Sequence, residues 1–386
     1  MRSLTLLALV AASFAVLSPG AQGFQQMTLS ENPREVRLIQ TAVDEEPQPM
    51  TQAGIDRLIR HKIHFMDVTE SAADKEFLSL ISSSSSSSFS PSLLTSPALP
   101  KSLRKVDEVN EVIETLNTEL MEETLRKLTS FKTRYYRSKT GKESQEYLLR
   151  TIQDLASSPT SKSNVTVQTF DHSWPQSSIL VRFEGTEVPE ETVVVGAHQD
   201  SVNMWLPSFG RSPGADDDGS GTVTILEAFR ALIQKGFRPK RTVEFHWYAA
   251  EEAGLLGSQA VSRAYRKDER KIVGMLQNDM TGFTKGKEEI GIVTDFTDPD
   301  LTNLLESLVD QYASIPYREF TCGYGCSDHA SWNKAGYRSA FHFESASLED
   351  NPNVHTTRDE YGTINFSHAL EYAKVAIGFA MELAEP

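Results

Sequence analysis

Residues 192–250 carry the stretch that sets the architecture: TVVVGAH (192–198), the loop SPGADDDGSG (212–221), TILEAFRALIQKG (224–236) and RTVEFHWYAA (241–250) follow one another in order. The first and last runs are short and rich in β-branched or aromatic side chains, and TILEAFRALIQKG spaces its apolar residues three and four apart. Strand, helix, strand is the unit from which a parallel sheet is built. Working outward, SILVRFEG (178–185) precedes the unit, and a helix, KIVGMLQNDM (271–280), IGIVTD (290–295), a further helix and YRSAFHFE (337–344) follow it. Two helical runs, VIETLNTELMEETLRKLTSF (112–131) and ESQEYLLRTIQDLAS (143–157), open the domain. No repeat period of 20 to 50 residues interrupts the alternation, so a solenoid or propeller is not expected. The expected fold is α/β, with a central mixed but mostly parallel sheet sandwiched by helices.

Of the 386 residues, 38 are Lys or Arg against 53 Asp or Glu, a formal net charge of −15. Such a surface repels phosphate backbones and anionic lipid, so neither nucleic acid nor membrane is an expected partner. The 39% hydrophobic content excludes a multi-span membrane protein. Two cysteines are too few for a disulfide scaffold or a Cys-rich zinc module, so a bound metal would have to rest on His and carboxylates.

The chain begins MRSLTLLALVAASFAVLSPGAQG: one Arg, a charge-free apolar run from Leu4 to Leu17, then small residues suited to cleavage. The run is shorter than the roughly 20 residues a spanning helix needs, so residues 1–23 read as a secretory signal. Sequons at Asn164 and Asn365 are compatible with secretion and glycosylation. Residues 24–88 are polar and acidic, with a helix-like patch TQAGIDRLIRHKIHFM (51–66) whose Ile55, Leu58, Ile59 and Ile63 could share one face. They end in a homopolymer, Ser82–Ser88, followed by a Pro-containing stretch. Such a tract buries too little apolar area to offset its ordering entropy and reads as a cuttable linker. Residues 24–88 are therefore expected to be a pro-segment that inhibits the rest of the chain or assists its folding, and residues 89–386 the main domain.

In open α/β sheets ligands bind beyond the carboxyl ends of the strands. His198 and Asp200 fall at the end of TVVVGAH, Glu251 and Glu252 at the end of RTVEFHWYAA, and Asp279 at the end of KIVGMLQND. The loop before the helix supplies Asp216, Asp217 and Asp218, and His355 lies in the late polar loop NPNVHTTRDE. Carboxylates gathered in a partly dry cleft repel one another unless cations neutralise them, so the cluster implies metal. Oxygen and imidazole donors without thiolate suit zinc, at an open catalytic site. Three carboxylate ligands, about −3, against about +4 for two zinc ions leave roughly one positive charge to hold a hydroxide, which favours two metals over one. Successive side chains on an extended segment point apart, so one of Glu251 and Glu252 can ligate while the other serves as general base. Cys322 and Cys326, in CGYGC, read as a short-loop disulfide in a secreted chain or as two reduced thiols. HExxH, P-loop and nucleophile-elbow motifs are missing, which weakens serine-hydrolase and nucleotide-driven mechanisms.

AHQDS (197–201), SPGADDDGSG (212–221), AEEAGLLGS (250–258), QNDMTG (277–282), CSDHASW (326–332) and VHTT (354–357), in this order and spacing, resemble the co-catalytic di-zinc aminopeptidases. With a signal and a pro-region in front, the whole looks like the secreted fungal leucine aminopeptidases. The resemblance spans nearly all of residues 100–386. It implies His198 and Asp279 on one zinc, Glu252 and His355 on the other, Asp217 bridging both and Glu251 as general base. Asp200 would orient the His198 imidazole, and the Asp217–Asp218 peptide would be cis. It also places Met280, Cys322, Tyr324 and Cys326 on a pocket for a large hydrophobic first residue such as leucine. The implied activity is release of an N-terminal residue from peptides or protein N-termini by a secreted monomer. A glutaminyl cyclase of the same fold, with a single zinc, and an ectodomain that has lost catalysis are the alternatives.

Overall fold

The computed structural model describes residues 36–42, 45–82, 97–158, 161, 163–286 and 288–386. The expected signal at 1–23 and the linker beyond Ser82, with the boundary at residue 88, lie outside the described residues. The first described part forms β1 (Val36–Gln40), β2 (Gln48–Thr51), α1 (Gln52–Arg60), β3 (Met66–Asp67), α2 (Thr69–Ala73) and α3 (Lys75–Ser82). The three strands make a small antiparallel sheet in the order β2-β1-β3. Of the anticipated apolar face, Ile55 and Ile59 are buried, whereas the helix stops at Arg60 and Ile63 lies 44% exposed beyond it.

The main domain runs α4 (Val106–Ile113), α5 (Glu119–Leu128), α6 (Lys139–Ser157), β4 (Val165–Phe170), β5 (Ser178–Phe183), β6 (Val188–His198), α7 (Gly219–Lys235) and β7 (Arg241–Tyr248). It continues with α8 (Leu256–Lys267), β8 (Lys271–Asn278), β9 (Ile290–Val293), α9 (Pro299–Tyr312), β10 (Tyr317–Phe320), α10 (His329–Lys334), β11 (Ser339–Phe343) and α11 (Phe366–Leu383). Its eight strands form one mixed sheet in the order β10-β9-β11-β8-β6-β7-β5-β4, with β7, β6, β8 and β11 parallel at its centre.

Helices cover both faces. Val193 and Val195 of β6 and Val243, Phe245 and Trp247 of β7 pack into a core shared with α4, α6, α7, α9 and α11. Val194 and Tyr248 join Val261 and Tyr265 of α8 and Trp332 of α10 on the other side. A strand buried on both faces needs apolar residues at consecutive positions, and this is why β6 reads as a continuous Val run. The two opening helices of the sequence are three in the structure. The run 112–131 breaks because Thr115 O accepts from Arg230, while Asn117 N donates to Glu227 and Asn117 Oδ1 accepts from Glu119 N. Tertiary partners thus take the backbone groups that a continuous helix would have used. Among the described residues no helix is long and apolar enough to cross a membrane.

Candidate metal centre

Each site segment starts where a central strand runs out. His198 is the last residue of β6; Asp279 follows β8; Glu251 and Glu252 come three and four residues after β7. The glutamate pair lies in a turn and not on the extended segment anticipated: Ala250 has φ +59° and Gly254 φ +97°. Asp217 precedes α7, and Asp218 caps that helix by accepting from Gly221 N at 2.7 Å. The peptide between Asp217 and Asp218 is cis. Asp218 also accepts from the N–H of His198 at 3.0 Å and of Met280 at 3.2 Å, so one carboxylate ties three site segments together.

The five residues singled out as ligands converge in two overlapping triads, His198–Asp217–Asp279 and Asp217–Glu252–His355, each with donor atoms within 4.8 Å of one another. His198 Nε2 stands 3.2 Å from Asp217 Oδ1 and 3.5 Å from Asp279 Oδ1. His355 Nε2 stands 2.9 Å from Asp217 Oδ2 and 2.8 Å from Glu252 Oε2. Asp217 therefore turns one oxygen to each histidine. Glu251 Oε2 lies 3.9 Å from His198 Nε2. Asp200 faces His198 Nδ1 at 3.4 Å and accepts from Glu251 N and Glu252 N, fixing the turn behind the pair.

The donor set fits zinc. His198 Nε2 and Asp279 Oδ1 are buried without a hydrogen-bond partner among the described residues, while Asp279 Oδ2 accepts from Ser327 Oγ at 2.6 Å. Ligand atoms about 2.0–2.1 Å from a tetrahedral ion lie roughly 3.3 Å apart, which is the spacing around His198 Nε2. The electrostatics point the same way. Burial opposes charging the His198 imidazole, yet Asp279 and Glu251, with Asp200 and Asp217, raise its pKa well above the ordinary value. Burial pushes the Glu251 carboxyl up; His198 opposes this, and Asp328, Asp279 and Glu252 reinforce it. A pocket that holds so many carboxylates away from water calls for cations.

These residues open into a cleft of about 660 Å³. One wall is apolar, with Met280, Cys322, Cys326, Phe341, Phe343 and Leu348. Cys322 and Cys326 are joined by a disulfide. Tyr324 does not line the cleft as anticipated: it packs with Met66, Val68 and Leu255 and meets the Phe296 ring edge-on at 5.1 Å, because its loop turns toward β3. The opposite wall is the segment Ile59–Phe65 from the first part of the chain. It is anchored by Asp67 N donating to Gly254 O at 3.1 Å, two residues after Glu252. A Cβ at Gly254 would stand 2.7 Å from Asp67 N, so the close approach requires glycine. Ion pairs Arg263–Glu70 at 2.6 Å and Lys267–Asp74 at 2.7 Å extend the contact along α8.

Of the sequons, Asn164 is exposed before β4, whereas Asn365 spends its side chain accepting from His368 N and donating to Glu288. His329 is not part of the centre: it is buried against Phe341, and burial lowers its pKa to about 3.

The model of peptidase family M28 matches residues 178–380. The chain belongs to peptidase family M28. Leucine aminopeptidase 1 of Trichoderma harzianum is 44% identical over 88% of this chain and 85% of its own length. Leucine aminopeptidase 1 of Uncinocarpus reesii is 41% identical over 100% of this chain and 99% of its own. The crystal structure of the LapA aminopeptidase of Legionella pneumophila superposes with a TM-score of 0.77 at 29% identity, covering 91% of this chain and 94% of that one. This M28 member is accordingly a zinc aminopeptidase, a hydrolase, a reading favoured over a cyclase or an inactive ectodomain.

Proposed function

We propose that this M28 peptidase is a secreted leucine-preferring aminopeptidase with two zinc ions, made as a precursor whose pro-segment covers the site. The observation that carries the reading is Asp217, which offers one oxygen to the His198–Asp279 side and the other to the Glu252–His355 side. His198 and Asp279 would hold one ion, Glu252 and His355 the other, with Asp217 shared and Asp200 orienting His198. When bound, zinc supplies Lewis acidity toward the scissile carbonyl and toward water.

The chain's own residues do the rest. Glu251 takes the proton from the attacking water and returns it to the leaving amine. The carboxylates at the closed end of the cleft attract the substrate's free α-ammonium, which restricts cleavage to the first peptide bond. Met280, Phe343 and Leu348, with the Cys322–Cys326 loop, receive the first side chain and favour leucine. Secretion follows from the apolar run at 1–23, and a glycan is proposed at Asn164 foremost, because Asn365 already serves as a helix cap. A monomer acting on peptide or protein N-termini is the expected form, with the pro-segment, residues 24–88, as its intramolecular partner.

The test is zinc content per chain together with release of leucine from a leucyl amide before and after a chelator. Two ions per chain, loss of turnover on chelation and recovery with added zinc are expected. One ion per chain, or efficient cleavage of an N-acetylated leucyl substrate, would overturn the reading.

A further inference from the structure

Two buried side chains outside the ligand set, Arg134 and Asp359, grip the loop that delivers Asp217. Arg134 is fully buried, and among the described residues no carboxylate pairs with it. Its guanidinium instead donates to main-chain carbonyls: Nε to Gln199 O at 2.8 Å, Nη2 to Gly214 O at 2.8 Å, and Nη1 to Pro213 O. Its own N–H donates to Ser201 Oγ at 3.1 Å. Asp359, 1% exposed, takes the other polarity. Its Oδ1 accepts from Asp216 N at 2.9 Å, its Oδ2 from Asp217 N at 3.1 Å, and its carbonyl from Ala215 N at 3.1 Å. Five consecutive residues, 213 to 217, are thus held by the carbonyls of the first two and the N–H groups of the last three. Gly214 fits this grip with φ +54°: a Cβ there would stand 2.5 Å from Asp217 O.

We propose that Arg134 and Asp359 are positioning residues that together set the orientation of the Asp217 carboxylate between the two metal sites. This rests on the assignment of Asp217 as the shared ligand. A bridging carboxylate must aim its two oxygens in different directions at once, so its main chain has to be fixed more tightly than that of a terminal ligand. Asp359 follows His355 by four residues, and Gln199 follows His198 directly. The two clamps therefore tie the Asp217 loop to the segments that carry one histidine of each site. A guanidinium can span three carbonyls in two loops, and an ammonium cannot. A carboxylate satisfies two adjacent N–H groups, and a carboxamide offers one acceptor oxygen and turns a donor toward the second N–H.

The experiment is zinc titration of the metal-depleted chain, wild type beside Asp359→Asn and Arg134→Lys, followed by kinetics on the reloaded, processed proteins. The first ion should bind all three with similar affinity. The second should bind both variants roughly 10- to 100-fold more weakly, with kcat lowered by a similar factor and KM for a leucyl amide within about twofold, since the apolar wall is untouched. Melting of the metal-depleted proteins confirms that each variant folds, and Asp359→Asn, nearly isosteric, decides alone if Arg134→Lys does not. Unchanged affinity for both ions and unchanged kcat in a folded variant would overturn the clamp while leaving the two-zinc reading intact. A wild-type chain that takes up only one ion would instead remove the shared-ligand assignment on which the clamp stands.

Discussion

Under the proposed occlusion by the pro-segment, Phe65→Ala in the uncut precursor is expected to switch activity on. Phe65 is 6% exposed and shares a cluster with Ile59, Met204, Ala253 and Leu256, where the proposed pro-segment meets the turn carrying Glu251 and Glu252. Removing a buried Phe side chain costs about 3–5 kcal/mol in a protein core, transfer and cavity together. Met204, Ala250, Ala253 and Leu256 of that cluster lie across the interface, so the substitution is expected to weaken docking of the segment. At about 1.4 kcal/mol per factor of ten, the population with the segment lifted off rises roughly 10²- to 10³-fold, up to the ceiling set by the processed enzyme. The ion pairs on α8 are lesser contributors, since surface pairs are each worth about 0.2–1 kcal/mol; with two of them, high salt alone should raise precursor activity by no more than about 30-fold. The assay is leucyl-amide hydrolysis by precursor shown intact on a denaturing gel, with protease sensitivity of residues 45–82 as the measure of undocking. If Phe65→Ala renders the segment protease-sensitive and the uncut chain still turns over no faster than wild type, occlusion is not how the precursor is held inactive.

Three further outcomes follow from the same geometry. Glu251→Gln should bind zinc as wild type does and lose several orders of magnitude in kcat, because the proton shuttle goes while every ligand stays; loss of metal together with activity would reassign Glu251 as a ligand. Leu348→Trp, on the apolar wall, should cut kcat/KM for leucyl substrates at least about tenfold while alanyl substrates keep theirs, and an equal fall for both would place the first side chain elsewhere. Burial alone would raise the Glu244 pKa, but His246, Tyr265 and Arg182 outweigh it and hold the carboxyl at about 2, below its ordinary 4.5. A depressed carboxyl contributes stability that is complete above pH 4.5 and fades as pH falls toward 2, about 3 kcal/mol in total. Glu244→Gln should therefore be less stable at pH 7 and show a shallower loss of unfolding free energy between pH 4.5 and 2; an identical pH slope by thermal or urea denaturation would count against that network.

The residues that act through side chains at strand ends were legible in the sequence, because a strand that stops in His, Asp or Glu can point those groups only into the crevice beyond the sheet. His198, Asp217, Glu252, Asp279 and His355 are all of this kind or sit in a loop that closes over it, and the structure brings them together. Arg134 and Asp359 were not legible, since they work on main-chain atoms and leave no pattern of spacing. The small sheet of β1–β3 escaped notice for a different reason: a two-residue and a four-residue strand carry too little periodicity, and support reaches it from α8, some 190 residues away, through contacts such as Gln259 Nε2 donating to Asp67 O. The break between α4 and α5 likewise depends on Arg230 and Glu227, which no local window contains. Tyr324 shows the converse: its motif position suggested the cleft, but the neighbours it packs with include Met66 and Val68, more than 250 residues earlier in the chain, beside Leu255 and Phe296.

The order of the parts along the chain also bears on biosynthesis. The stretch Ile59–Phe65 that lines the cleft emerges from the ribosome before any of the five ligand residues, and the last of them, His355, leaves only near the end of translation. The ligand set is thus the final thing to be assembled and its proposed cover the first. On the export route proposed for it, the precursor would carry the cover of its site from the earliest stage of synthesis and complete the ligand set only at the end.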